Sequence, residues 1–148
     1  NERRAGTENM AAIAGLVEAI SLFVPSPVFD KKLMTPFVNR LSSLQSLSGV
    51  NLVCPFANRL SNTCSFTLPG IDSITLLASL DLEGICASSG SACSSGSLNP
   101  SHVLSALGKS KKEASSLIRF SLGRETTNDE IDLVLEKFPA AIEQIRMS

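Results

Sequence analysis

The sequence predicts a single α+β domain in which helices pack on one face of a small, largely antiparallel sheet. Three observations carry that expectation. The chain has 148 residues, 43% of them hydrophobic, enough for one core. Apolar residues recur at helical spacing in several segments, and the stretches between them hold short runs of strand-forming residues. Prolines and glycines separate the runs at short intervals.

Met10, Ile13, Val17 and Ile20, joined by Leu16 and Phe23, predict a helix over about residues 8–23, stopped by Pro25-Ser26-Pro27. Leu33, Phe37, Leu41 and Leu44 repeat the spacing after Asp30, a suitable N-cap, and Gly49 marks a stop. Val50–Cys54 and Thr63–Leu68 read as strands, bounded by Pro55 and by Pro69-Gly70. Asp72 should cap a helix reaching about Leu82. Residues 84–98 then contain six serines and three glycines. Only the start of this stretch suits a strand, and the remainder has too few apolar side chains to offset its ordering entropy, so a mobile surface loop is expected. Asn99-Pro100 should restart order as N-cap and first helical residue. Ser110 and Glu113 form a capping-box pattern, as do Thr127 and Glu130. Between them Ile118, Phe120 and Leu122 alternate with Arg119 and Ser121, which sends the apolar set to the core and Arg119 to the opposite face. The last helix carries Ile131, Val134, Leu135 and Phe138, and Pro139 should kink or divide it before Ile142 and Ile145.

Thirteen basic against fourteen acidic residues give a formal charge of −1, which argues against direct nucleic-acid binding or attachment to an acidic membrane. The apolar runs fall well short of the roughly 20 residues a bilayer span needs, so no membrane role is expected. No secretory signal follows Asn1-Glu2-Arg3-Arg4, and a first residue other than Met suggests a fragment or a processed product. Four cysteines are too few for a stapled secreted scaffold, which favours a reducing compartment. With no C-x-x-C pair and one histidine, His102, a structural metal site is not expected.

Cys93 stands out as the candidate nucleophile, because it sits among glycines and serines in a segment unable to bury it, whereas free cysteines usually pack as small hydrophobes. Cys54, Cys64 and Cys86 lie on strand-like segments and are expected in the core. Arg119, in the middle of an apolar strand, must find an anion, a salt-bridge partner or a solvent-lined cleft. Neither feature alone makes an enzyme, since no general base, cofactor lysine or phosphate cradle can be read from spacing.

Ser88-Ser89-Gly90-Ser91-Ala92-Cys93-Ser94-Ser95 with Leu98-Asn99-Pro100-Ser101-His102-Val103-Leu104 resembles the catalytic-cysteine loop of cysteine desulfurases, in the long-loop branch that supplies iron-sulfur cluster assembly. Ile118-Arg119-Phe120-Ser121-Leu122-Gly123-Arg124 is similar to the strand motif that follows that loop. Arg3-Arg4-Ala5-Gly6-Thr7-Glu8-Asn9 is similar to the segment just beyond the cofactor-lysine region. The three motifs stand in family order and span nearly the whole chain.

The resemblance implies the C-terminal small domain of a fold-type I enzyme that uses pyridoxal phosphate and acts as a homodimer. Residues 1–24 would be the helix linking to the larger cofactor domain, and residues 87–99 the mobile catalytic loop. Cys93 would take sulfur from L-cysteine as a persulfide, leaving alanine, and pass it to a sulfur acceptor or iron-sulfur scaffold protein. With such a scaffold, Cys93 would also ligate iron transiently. Arg119 would clamp the substrate α-carboxylate, and Thr7 would contact the cofactor phosphate of the partner subunit. The cofactor lysine, the group stacked on the pyridine ring and the acid at its nitrogen belong to the larger domain, so this chain alone should neither hold the cofactor tightly nor turn over. Glu125 departs from a common aromatic residue and Ser94 from a common threonine, and neither is a reacting group. The expected location is the cytoplasm or an organelle matrix. A free-standing sulfur-carrier or scaffold-docking module, and a selenocysteine lyase-like enzyme part, remain the alternative readings.

Overall fold

Residues 6–25, 31–55, 58–90 and 101–147 are described by a computed structural model. In chain order the elements are α1 (Met10–Phe23), α2 (Lys31–Ser42) followed by a 3-10 turn (Ser43–Ser46), β1 (Asn51–Leu52), β2 (Thr63–Thr67), α3 (Ser73–Leu82), α4 (His102–Ala106), α5 (Lys111–Ala114), β3 (Leu117–Ser121) and α6 (Asn128–Met147). The strands form an antiparallel sheet in the order β1-β2-β3, so the expected α+β arrangement is present.

Register decides what each face carries. Cys64 pairs with Phe120 and Phe66 with Ile118, so these four side chains share one face of the sheet. All four are buried, and α2, α3 and α6 supply Leu41, Leu76, Leu80, Ile131, Phe138 and Ile142 to the same core. Phe66, Phe120 and Phe138 meet there with ring centroids 5.6–6.4 Å apart, two of the pairs edge to face. Thr67 with Leu117, Ser65 with Arg119 and Thr63 with Ser121 fall on the opposite face. One end of that face is also covered, by a smaller cluster in which Leu104 of α4 and Ala114 of α5 pack with Leu117 and Val53. The other end carries Arg119.

The helix ends follow their local chemistry. Asp72 accepts a hydrogen bond from the Thr75 N–H at 2.9 Å, and α3 ends ahead of Gly84, whose φ of +76° suits the left-handed residue after a helix. Ser110 and Glu113 close the expected capping box on α5, and Thr127 and Glu130 do the same for α6. Gly49 has φ +73°, and a Cβ there would meet Arg146 Nη2 at 2.9 Å, the same nitrogen that donates to the Ser48 carbonyl. This contact ties the last turn of α6 to the turn ahead of β1.

Several expectations change. Pro139 does not divide the final helix, because α6 runs unbroken through it. Losing one backbone hydrogen bond at proline costs about 3 kcal/mol. Burial of Ile131, Val134 and Phe138 before it, and of Ala141 and Ile142 after it, holds both halves to the sheet. The helix expected from Asn99-Pro100 starts at His102 instead, with Ser101 as N-cap accepting from the Leu104 N–H; Asn99, Pro100 and the expected cap Asp30 lie outside the described residues. Val50–Cys54 contracts to the two residues of β1, extended by a hydrogen bond from the Val53 N–H to the Ser65 carbonyl. Cys54 turns away from the strand with φ +49°. The helix over 8–23 forms as α1, yet none of its residues is buried.

Phe138→Ala should cost about 3–5 kcal/mol, because the ring touches both other core phenylalanines and its removal leaves a cavity; urea denaturation of this chain measures the loss. Hydrogen bonds from Ser110 and then Lys109 hold the Glu113 carboxyl below its ordinary range. Its support for α5 is therefore present above the unfolded carboxyl's pKa and lost as pH falls through the lowered folded value. A carboxyl-carbon NMR titration should show Glu113 titrating below the ordinary glutamate range, and Ser110→Ala should move it upward.

Candidate functional site

The site is built on the single polar position of β3 that the sheet half-buries. Alternation turns Ile118 and Phe120 into the core and leaves Arg119 on the opposite face, as the sequence pattern requires. The backbone N–H and C=O of Arg119 face away from β2 and pair with Ser88, at 2.7 Å and 3.0 Å. The Ser65–Arg119 pair is thus of the non-hydrogen-bonded kind, in which cross-strand side chains approach most closely. Ser88 also turns the chain, its hydroxyl donating to the Gly90 carbonyl at 3.0 Å and accepting from the Gly90 N–H at 3.4 Å. Arg119 Nη2 reaches the same hydroxyl at 3.5 Å.

One atom remains unmatched. Arg119 Nε is buried and has no hydrogen-bond partner among the described residues. A buried guanidinium N–H without an acceptor is costly, and a planar carboxylate is the group whose geometry matches its fork. The arrangement can therefore hold a carboxylate against the sheet. Ala87–Gly90 are half-buried beside it, and the strand expected at the start of the Gly84–Leu98 stretch reduces to the one bridged residue, Ser88. Beyond the undescribed residues 91–100, the Ser101 N–H donates to the Ala114 carbonyl at 3.2 Å. Chain therefore leaves from beside Arg119 and returns at the Leu104–Ala114–Leu117 cluster, near the same strand.

Cys93 lies outside the described residues. Thr7 is exposed in the unpaired segment ahead of α1, whose first turn is capped by Asn9 accepting from the Ala12 N–H. The structure brings Arg119 together with Ser88 and Ser65, and it does not bring Thr7 to them within this chain. Sequence reasoning missed Ser88 and Ser65. The Ser88-Ser89-Gly90 turn chemistry was a signal for the first, whereas Ser65 needed the strand register.

The other cysteines divide three ways. Cys64 is buried as expected, and burial pushes its thiol pKa up, only partly offset by the nearby Ser42 hydroxyl and the Arg59 charge. Cys54 is only half-buried because its left-handed backbone leaves β1, and Cys86 is exposed because the chain there forms no strand. Both depart from the core placement expected for them. Among the described residues no group of three or more metal-ligating side chains comes together, and no helix is long and apolar enough to cross a membrane. Iodoacetamide should label Cys86 in the native chain and Cys64 only after unfolding, read by peptide mass mapping; native labelling of Cys64 would contradict its placement.

A model of the class-V aminotransferase family matches residues 1–134. A cysteine desulfurase of Nostoc sp. is 42% identical over 146 residues, covering 97% of this chain and 36% of that protein. The cysteine desulfurase IscS of Dictyoglomus turgidum is 39% identical over 155 residues, covering 99% and 38%. The solved NifS-like protein of Rickettsia africae is 32% identical with a TM-score of 0.74, covering 95% of this chain and 36% of that one. The chain thus spans little more than a third of the length of these relatives. With the family model matched over most of its length and the three-stranded fold shared with a solved relative, the chain belongs to the class-V aminotransferases.

Proposed function

We propose that this chain is the C-terminal small-domain part of a cysteine desulfurase, in which Cys93 accepts sulfur and Arg119 binds the substrate carboxylate. The observation that carries the reading is the buried, unpartnered Arg119 Nε, held beside the turn from which the Cys93 segment departs. Cysteine desulfurase relatives 39–42% identical to the chain support it. In the reaction the Cys93 thiolate attacks the sulfur of L-cysteine, forming an S–S bond as the substrate C–S bond breaks. The electron pair stays with carbon, which takes a proton and becomes the methyl group of alanine. Cys93 is left as the persulfide, so sulfur is oxidised to the extent that carbon is reduced.

Pyridoxal phosphate, when bound, supplies the electron sink for this cleavage. The residues described here fit part of its surroundings. Thr7 offers an exposed hydroxyl for the cofactor phosphate of a partner subunit, and Arg119 fits the substrate carboxylate. The core phenylalanines lie on the far face of the sheet, so none of them is placed to stack on a pyridine ring beside Arg119. Lysine, stacking group and pyridine-nitrogen acid are therefore assigned to the longer protein, and this chain by itself should neither bind the cofactor tightly nor release alanine. α1 supports the same assignment. A helix apolar except for Glu18 and Ser21 belongs largely in an interior, yet Met10, Leu16, Val17 and Ile20 are each more than half exposed here. Residues 1–24 thus suit a junction with the larger domain.

Residues 87–99 act as the tether. Three links of extended chain span at most about 11 Å, so the sequence distance from Gly90 sets the radius within which the Cys93 thiol works. Sulfur leaves to an acceptor protein of iron-sulfur cluster assembly or another sulfur-transfer route in the cytoplasm or an organelle matrix, with the enzyme a homodimer.

The full-length protein carrying this chain, incubated with cysteine and pyridoxal phosphate, should gain one sulfur atom by intact mass, and Cys93→Ser should abolish that gain. Arg119→Lys keeps the charge and loses the fork, so the KM for cysteine should rise about 10- to 100-fold while the fold is retained. Alanine release with no sulfur on Cys93 would overturn the role given to the loop.

A further inference from the structure

A second buried guanidinium lacks an acceptor, and it lies outside the site just described. Arg59 Nη2 is held by the Ser42 hydroxyl at 3.4 Å, whereas Nη1 is buried and makes no hydrogen bond among the described residues. Arg59 lines a groove of about 510 Å³ together with Lys31, Thr35 and Asn39 of α2 and with Asn58 and Ser61 of the segment leading to β2. Lys31, Thr35 and Asn39 follow one another at intervals of four and so occupy one face of α2. Among the described residues neither Arg119 nor Ser88 lines this groove, and no acidic side chain does.

From these observations we infer that the groove binds a small molecule through an oxyanion group, a carboxylate or a phosphoryl, with Arg59 as the buried anchor and Lys31 as the second charge. The volume is that of an ordinary small-ligand site, and its rim is polar. An unmatched guanidinium N–H costs free energy that an anionic acceptor recovers. With Arg59 and Lys31 in its lining and no carboxylate among the described lining residues, the groove suits an anion rather than a cation. Lys31 stands in the first turn of α2, where the helix dipole adds to the same sign. Charge-assisted contacts from a planar fork fix the position of the anion, and the amide groups of Asn39 and Asn58 line the same groove to orient the rest of the molecule.

The test uses the full-length protein with pyridoxal phosphate bound, so that the cofactor's own phosphate site is filled. Calorimetric titrations with inorganic phosphate and, separately, with acetate at low ionic strength compare the wild type with Arg59→Gln and Lys31→Gln. Saturable binding of either anion that both substitutions weaken about tenfold or more supports the site, phosphate identifying a phosphoryl ligand and acetate a carboxylate. An anion held at Arg119 would be insensitive to both changes. Absence of binding to the wild type, as when another segment of the longer protein already fills the groove, overturns the inference. So does binding that neither substitution alters. If circular dichroism shows that Arg59→Gln fails to fold, the exposed Lys31→Gln decides alone.

Discussion

The pairing of β2 with β3 fixes nearly everything else. Strand side chains alternate, so a register that buries Phe66, Ile118 and Phe120 under α6 also places Arg119 opposite Ser65 on the other face. A slip of one residue would drive the guanidinium into the phenylalanine cluster and carry Phe120 out to the face that Arg119 now occupies. The core thus fixes the site from the opposite face of the sheet. Several kcal/mol of aromatic burial hold an arginine at a position where its own hydrogen bonding is incomplete.

Ser88 links that register to the chemistry. Its backbone adds a single antiparallel bridge at the outer edge of β3, and its hydroxyl closes a tight turn with Gly90. Together they fix one root of the segment that carries Cys93, while Ser101 fixes the other through Ala114. In the proposed function, the Cys93 thiol has to serve both a deep site and an external acceptor from the stretch between these two roots.

Most of the fold was legible from residue patterns, for reasons that differ by element. Alternation in Ile118–Leu122 gave the faces of β3 directly, and the two Ser/Thr-x-x-Glu patterns gave the starts of α5 and α6, because both signals are local. Pro139 misled because its effect on a helix is local, whereas the packing that keeps α6 continuous comes from a sheet far away in sequence. Cys54 and Cys86 misled because strand-like composition says nothing of where pairing stops. The setting of Arg119 was only partly legible. Its face followed from spacing, but its unpartnered Nε and its neighbours Ser65 and Ser88 follow from contacts between distant segments. The groove at Arg59 was not legible at all, since it joins α2 to a segment some 20 residues later through a side chain that composition marks as an ordinary surface cation.

Last in chain order among the core elements, α6 has a consequence for how the protein is made. Phe138 covers Phe66 and Phe120, Asp132 pairs with Arg40, and Arg146 holds the Ser48 carbonyl, so its partners lie up to 98 residues earlier in the chain. Until the ribosome has released α6, the apolar face of the sheet has only the cover that α2 and α3 supply, and Phe66 and Phe120 lack their Phe138 partner. Such long-range closure is slow, and the waiting interval exposes a phenylalanine-rich surface to neighbouring nascent chains. Biogenesis of the domain thus depends on the speed at which its final 20-residue helix emerges and docks, and on whatever holds that surface apart until then.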